Sequence, residues 1–248
     1  MTGRREEILD AALALADERG LEAVSMRALA ERVGVTPMAL YRHVADKAAL
    51  LDAMVGRLLG ALLPPEAGAG DTQGAGTGAG AKGTATDTAT DTDTGTDAGT
   101  DAGRGRTWDQ RLNALAYACR EIAQRHPWAA HLLFSRPAVT ADAARAVDII
   151  YLALLEAGVP ESEVPRLERL VTTFVIGFAA SEAAGRFAPG ALDPRGRRGR
   201  RGRLPESELP GHRRLAPWLD LPPDLTAEFE ADLDDIRCLV EAVARRRH

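Results

Sequence analysis

Three residues that favour helix starts, Ser25, Thr36 and Asp46, follow one another closely, and Gly34 lies between the first two. This punctuation constrains the fold more than any other feature. A Ser, Thr or Asp oxygen accepts a hydrogen bond from an otherwise unpaired N–H in the first turn of a helix. Pro37, directly after Thr36, suits a first helical position, where its missing N–H costs nothing. Gly34 suits the left-handed residue that follows a helix end. The spacing predicts a helix over 26–33, a short one over 37–43 and a long one over 47–63. Ala28, Leu29, Ala30 and Val33 supply the buried side of the first, and Leu40 that of the second. Two short helices joined by a glycine-containing turn make a helix-turn-helix.

The remainder also reads as helix. Val and Ile never alternate with polar residues over a strand length, and aromatic residues are only 4% of the chain. Apolar residues recur at helical spacing in Ile8, Leu9, Ala12, Leu13 and Ala16, a run stopped by Gly20. The same spacing recurs in Leu112, Leu115, Ala116, Cys119 and Ile122, before Pro127. It returns over 143–157, which stops at Gly158, over 167–187, and in Phe229, Leu233, Ile236, Leu239, Val240 and Val243. The expected fold class is therefore all-α.

A helix that enters the major groove needs modest side chains and hydrogen-bond formers on its outer face. Met38 and Ala39 are placed to meet base edges and thymine methyls. Arg42 suits a guanine or a phosphate, and Tyr41 and His43 suit phosphates. Residues 24–47 carry Arg27, Arg32, Arg42 and Lys47 against only Glu31 and Asp46. Arg4 and Arg5 read as a short basic arm ahead of the first helix. The expected DNA-contacting set is Arg4, Arg5, Ser25, Met26, Arg27, Thr36, Pro37, Met38, Ala39, Tyr41, Arg42, His43 and Lys47.

Two stretches break the helical pattern. Residues 64–107 open with Pro64-Pro65 and continue in Gly, Ala, Thr and Asp until Trp108. So little apolar surface cannot offset the entropy of ordering, and the composition predicts a disordered acidic linker. The second is Arg195–Arg203, flanked by prolines and glycines, which reads as a flexible Arg-rich loop over 190–214. The expected organisation is a reading head over 1–46, a connecting helix over 47–63, the linker over 64–107 and a helical regulatory and dimerisation domain over 108–248. A long loose tether transmits no strain, so coupling between head and regulatory domain must run through packing of the connecting helix.

Residues 8–59 resemble the DNA-binding domain of the TetR family of bacterial transcriptional repressors. The resemblance is carried by Gly20-Leu21, Ser25-Met26-Arg27, Leu29-Ala30, Val33-Gly34-Val35, Leu40-Tyr41, His43-Val44 and Lys47-Ala48-Ala49-Leu50-Leu51. Residues 108–188 resemble the C-terminal domain of the tetracycline-repressor subgroup through Trp108, Arg111-Leu112, His126-Pro127-Trp128, Arg136-Pro137, Gly177 and Glu182. The resemblance implies an all-α homodimer that binds a palindromic double-stranded operator. It implies dimerisation through a four-helix bundle, here helices near 166–188 and 224–246. Val171, Phe174, Val175 and Phe178 on the first, and Phe229, Ile236, Val240 and Val243 on the second, are the apolar residues offered to that seam. The resemblance further implies release from DNA when a small-molecule effector, unidentified here, enters the regulatory domain. Trp128, His131, Phe134, Arg136, Phe174, Phe178, Glu182 and Phe187 are the pocket residues it points to. The magnesium and histidine of the tetracycline repressors find no matching position, so no metal or cofactor is expected.

The composition excludes other classes. The net charge of −5 does not suit a coat for nucleic acid, and two cysteines make no disulfide framework. The start of the chain lacks the apolar core of a signal peptide, and Val171–Ala180 is too short and polar to span a membrane. A cytoplasmic protein is expected. None of the five histidines has a partner at ligand spacing, and no phosphate-binding or nucleophile-elbow motif occurs, so an enzyme is not expected. Two alternatives keep the same fold or chemistry: a nonspecific architectural DNA binder using the Arg-rich loop, or an activator.

Overall fold

The computed structural model describes residues 3–63, 106–136, 139–186, 208–219 and 221–246, and among these every regular element is helical. Helix α1 (Arg4–Arg19) buries Ile8, Leu9, Ala12, Leu15 and Ala16. It ends at Gly20, whose φ of +81° other residues rarely adopt. A single 3₁₀ turn, Leu21–Ala23, leads to the buried Val24.

Helices α2 (Met26–Val33), α3 (Pro37–Leu40) and α4 (Lys47–Gly60) start where their caps predict. Ser25 Oγ accepts from the Ala28 N–H at 3.2 Å, Thr36 Oγ1 from Ala39 at 3.3 Å and Asp46 Oδ1 from Ala49 at 2.7 Å. Gly34 closes α2 in the left-handed conformation, φ +73°, and the Val35 N–H reaches back to the Ala30 carbonyl. The second helix is shorter than the expected 37–43. The N–H groups of His43 and Val44 both turn back to the Leu40 carbonyl, which swings Val44 into the core. Helix α4 likewise ends at Gly60, with Leu62 and Leu63 in tighter turns behind it.

The second half begins with α5 (Trp108–Arg125), followed by α6 (Ala129–Ser135), α7 (Ala141–Glu156) and α8 (Val164–Ala183). Helices α9 (Pro210–Leu219) and α10 (Leu225–Ala244) complete the chain. Helix α8 is the hub, packing on α5, α6, α7 and α10, while α4 packs on α1, α6 and α7. One apolar cluster runs from Ile8, Leu29, Leu40, Leu50 and Met54 into Ile122, Leu132 and Leu133. Head and regulatory helices therefore share a core.

Three expectations are corrected. Arg4 and Arg5 do not form a free arm; they are the first residues of α1, and Arg4 Nη1 bonds Glu7 at 2.8 Å. The final residues of the expected 190–214 loop are helical, because Pro210 acts as a helix start rather than a breaker. The apolar residues offered to a dimer seam mostly face inward. Phe229, Val240 and Val243 are at most 1% exposed, and Val171 and Val175 are 5% exposed. They pack against α5 and α7 in the same protomer, since these four long helices must bury their stripes somewhere. The Arg195–Arg203 run, nearly all of the 64–107 tract, Pro137 and Phe187 lie outside the described residues.

The two halves approach closely at Gly56. A Cβ built there meets Thr140 Oγ1 at 2.5 Å and its Cγ2 at 2.8 Å. Thr140 also caps α7, accepting from the Ala143 N–H at 3.2 Å. Replacing a helical glycine by alanine gains about 1 kcal/mol in propensity, whereas overpacking costs about 1–3 kcal/mol. Gly56→Ala is therefore expected to destabilise the fold, and urea unfolding checks this. A stabilised variant would show that α4 and α7 do not meet here.

Candidate functional site

The outer face of the reading head is built by α3 and the turn after it. Met38 is 74% exposed and Tyr41 48%, although both are large and apolar in part. Pro37, Arg42, His43 and Lys47 are exposed around them, and Arg27 is exposed on α2. Leu40 alone of this short helix is buried. Ser25 and Thr36 spend their side-chain oxygens on helix caps, and Met26 packs against the core, so these three position the surface. Arg32, counted from sequence among the cations of this region, is occupied elsewhere. Its guanidinium makes paired contacts of 2.7 and 2.5 Å to Glu18 on α1, and Arg32 holds that carboxyl below its ordinary range.

One polar contact joins this head to the regulatory helices, and a second joins α4 to them. Asp17 Oδ1 on α1 accepts from Trp128 Nε1 at 2.7 Å and from His126 Nδ1 at 2.6 Å. A carboxylate oxygen only accepts, so Nδ1 carries the proton. On the other side, Arg136 Nε donates to Asp52 Oδ1 at 2.7 Å and Nη2 donates to the Ala48 carbonyl at 3.1 Å. Asp52 and Ala48 lie in the first turns of α4, beside the Asp46 cap.

Behind Arg136 lies a cavity of about 140 Å³. Leu59 of α4 and Leu62 beyond it form one wall, and Leu112, Leu115 and Cys119 of α5 another. Leu133 of α6, Val147 and Ile150 of α7, and Val171, Thr172 and Val175 of α8 close it. Burial pushes the Cys119 thiol up to about 11, so it is an apolar wall group and not a nucleophile.

Of the described residues expected to line a pocket, only Arg136 lines this cavity. Trp128 is turned toward α1 by its bond to Asp17. His131 is exposed, and Phe134 is 63% exposed. Phe174, Phe178 and Glu182 belong to a separate knot around Arg120, which is 7% exposed. Arg120 Nε and Nη2 bind the two Glu182 oxygens at 2.7 Å each, and its guanidinium carbon lies 4.9 Å from the Phe229 ring centre. Phe178 stands 4.9 Å from Phe229. Sequence reading missed Arg120, although the signal was present. It lies four residues beyond Ala116 and eight beyond Leu112, on a stripe otherwise apolar.

A capped helix-turn-helix with an exposed outer face, joined through one helix to a domain holding an apolar cavity, defines the class of helix-turn-helix transcriptional regulators. Residues 8–54 match the family described as "Bacterial regulatory proteins, tetR family", and residues 101–210 match "Tetracyclin repressor-like, C-terminal domain". The chain belongs to the TetR family of bacterial transcriptional regulators. It is 26% identical over 183 residues to an HTH-type transcriptional regulator of Saccharopolyspora erythraea, covering 73% of this chain and 62% of that protein. It is 25% identical over 177 residues to the HTH-type transcriptional repressor DrrR1 of Streptomyces coeruleorubidus, covering 71% and 53%. The chain thus spans under two thirds of the length of these curated relatives. The crystal structure of a possible TetR family transcriptional regulator from Streptomyces coelicolor A3(2) superimposes with a TM-score of 0.67 at 26% identity. That likeness covers 96% of this chain and 99% of that one. Among the described residues, no helix is long and apolar enough to cross a membrane.

The Arg120 pair sets a pH dependence. Hydrogen bonding to Arg120 holds the Glu182 carboxyl below its ordinary range, against the opposing effect of burial. A depressed carboxylate contributes stability above its unfolded pKa and loses it as pH falls through the folded one. The expected loss begins below about pH 5. Glu182→Gln should flatten that part of the stability–pH curve, and Glu182→Ala should cost about 3–5 kcal/mol by stranding Arg120. Chemical unfolding between neutral and acid pH reads both; an unchanged slope in Glu182→Gln would remove this pair from the account.

Proposed function

We propose that the chain is a ligand-responsive transcriptional repressor. As a homodimer it reads a palindromic operator through α3, and a small molecule in the cavity releases it. The observation that carries this reading is the double role of α4. Its Leu50 and Met54 belong to the core of the reading head, while Leu59 and the adjoining Leu62 line the cavity. A ligand in the cavity therefore lies against the helix that aims α3. The repressor name of one relative points the same way.

In this reading residues 1–46 are the head, 47–63 the connection and 108–248 the regulatory domain. Met38 and Ala39 meet base edges, and Arg42 reads a guanine or anchors on phosphate. Tyr41, His43, Lys47 and Arg27 contact the backbone, with Arg4 and Arg5 reaching it from the start of α1. Ser25, Met26, Thr36 and Pro37 hold the two helices in position. The dimer forms on the outer faces of α8 and α10, where Leu170 is 37% exposed and Gly177 and Cys238 are accessible.

Selection of the protein on a random double-stranded DNA library is expected to recover a palindrome with half-sites about one helical turn apart. Recovery of no motif, with binding that vanishes as salt rises, would instead mark nonspecific phosphate binding. Arg42→Ala and Met38→Ala should relax base preference by about 1–3 kcal/mol per lost contact, and Lys47→Ala should weaken all sequences alike. Binding titrations on variant sites read this; a base-specific effect of Lys47→Ala would reverse the roles. At Gly177 a built Cβ meets nothing within 4 Å in the protomer. Gly177→Leu is expected to shift the protein toward monomer in analytical ultracentrifugation with helix content kept. An unchanged mass would put the seam elsewhere.

A further inference from the structure

The cavity has a definite chemistry. Its walls are carbon apart from Arg136, Thr172 and the neutral Cys119 thiol. Thr172 already donates its hydroxyl to the Glu168 carbonyl at 2.9 Å. Dry protein cavities of about 150 Å³ accept one benzene-sized ring, and this one is about 140 Å³. The body of a ligand here is therefore a single ring or an apolar group of equal volume.

Arg136 breaks the apolar pattern. It lines the cavity and also reaches α4, with Nε on Asp52 and Nη2 on the Ala48 carbonyl. A guanidinium presents five N–H donors in a planar fork that matches a carboxylate. Among the described residues no carboxylate lines the cavity, so a cationic ligand would find no counter-charge there. The Asp52 and Arg136 side chains are 27% and 24% exposed, so their pairing is only partly screened by water.

The geometry points to a small aromatic or similarly compact apolar monocarboxylate as the effector, its carboxylate taking the Arg136 guanidinium from Asp52 and Ala48 while its body fills the cavity. The inference rests on the reading of the chain as a ligand-released regulator. The exchange explains why such a ligand changes the state of the protein. A ligand shifts an equilibrium only by binding one state better. A neutral ring fills the cavity without disturbing α4. A carboxylate competes with Asp52 for one cation, and Asp52 without its partner favours an arrangement in which the first turns of α4 swing toward water. Those turns carry the Asp46 cap, which immediately follows the turn beyond α3.

The test uses p-toluate and its neutral isostere p-toluamide, titrated calorimetrically into the full chain and into Asp52→Asn and Arg136→Gln. In the unmodified protein the acid should bind about tenfold or more tightly than the amide, the range of a charge-assisted hydrogen bond. Asp52→Asn, which removes the competitor, should tighten p-toluate by about tenfold and leave p-toluamide unchanged. Arg136→Gln should erase the preference while the amide still binds. Equal affinities in the unmodified protein, binding of neither compound, or a preference that survives Arg136→Gln would each overturn the inference. Operator affinity is measured alongside and should fall with p-toluate and not with p-toluamide. Binding of p-toluate through Arg136 with operator affinity unchanged would support the ligand class and overturn the ligand-released reading itself.

Discussion

Helix α4 has no side left for water over its middle turn. Ala53, Met54, Val55 and Gly56 are consecutive and all buried, and Leu50 and Leu58 are buried on either side. Four successive residues point in every direction around a helix, so this turn is enclosed by protein on all sides. The reading head covers part of it, and α6 and α7 cover the rest. At Gly56 the Thr140 side chain approaches too closely to leave room for a Cβ, so the start of α7 sits directly on the α4 backbone. Interfaces of this density are bistable rather than elastic, so a displacement at one face must be answered at the other.

Around that helix the charges are placed sparingly. Arg120 is the one buried charged residue among those described, and every part of its surroundings answers it: two Glu182 oxygens, the Thr226 hydroxyl at 3.4 Å and two aromatic faces. A buried ion pair adds little net stability over an apolar substitute, but leaving either partner alone is costly. Here it links α5, α8 and α10. Arg111 and Glu156 do the same for α5 and α7 nearer the surface.

The helices and their starts were legible in the sequence because capping is local. Ser25, Gly34, Thr36 and Asp46 each act within a few residues, and the structure places a helix start or end at each. The turn after α3 was less legible, because Val44 is drawn inward by tertiary packing and not by any local preference. The destination of apolar faces was not legible. Phe174, Phe178 and Phe229 have the right spacing for a seam, a pocket or a core, and periodicity does not distinguish them. The long-range polar contacts were hidden for the same reason: Asp17 with Trp128, and Asp52 with Arg136, are far apart in sequence and carry no motif. Among the described pocket candidates, Arg136 alone is found on the cavity wall. It came from a resemblance, whereas its grip on α4 came only from geometry.

The contact at Asp17 bears on how such proteins diversify. A carboxylate oxygen has two lone pairs, and this one accepts from both an indole and an imidazole. Beside the shared core, this polar contact rests on a single atom supplied by the head, against two donors supplied by the other half. A reading head transplanted from another protein would fit this body only if its first helix brought an acceptor to the same place. Otherwise the Trp128 and His126 donors would lose their shared acceptor. Recombination between heads and bodies is thus limited by hydrogen-bond polarity as much as by shape, and the partnership is recorded at one position of the first helix.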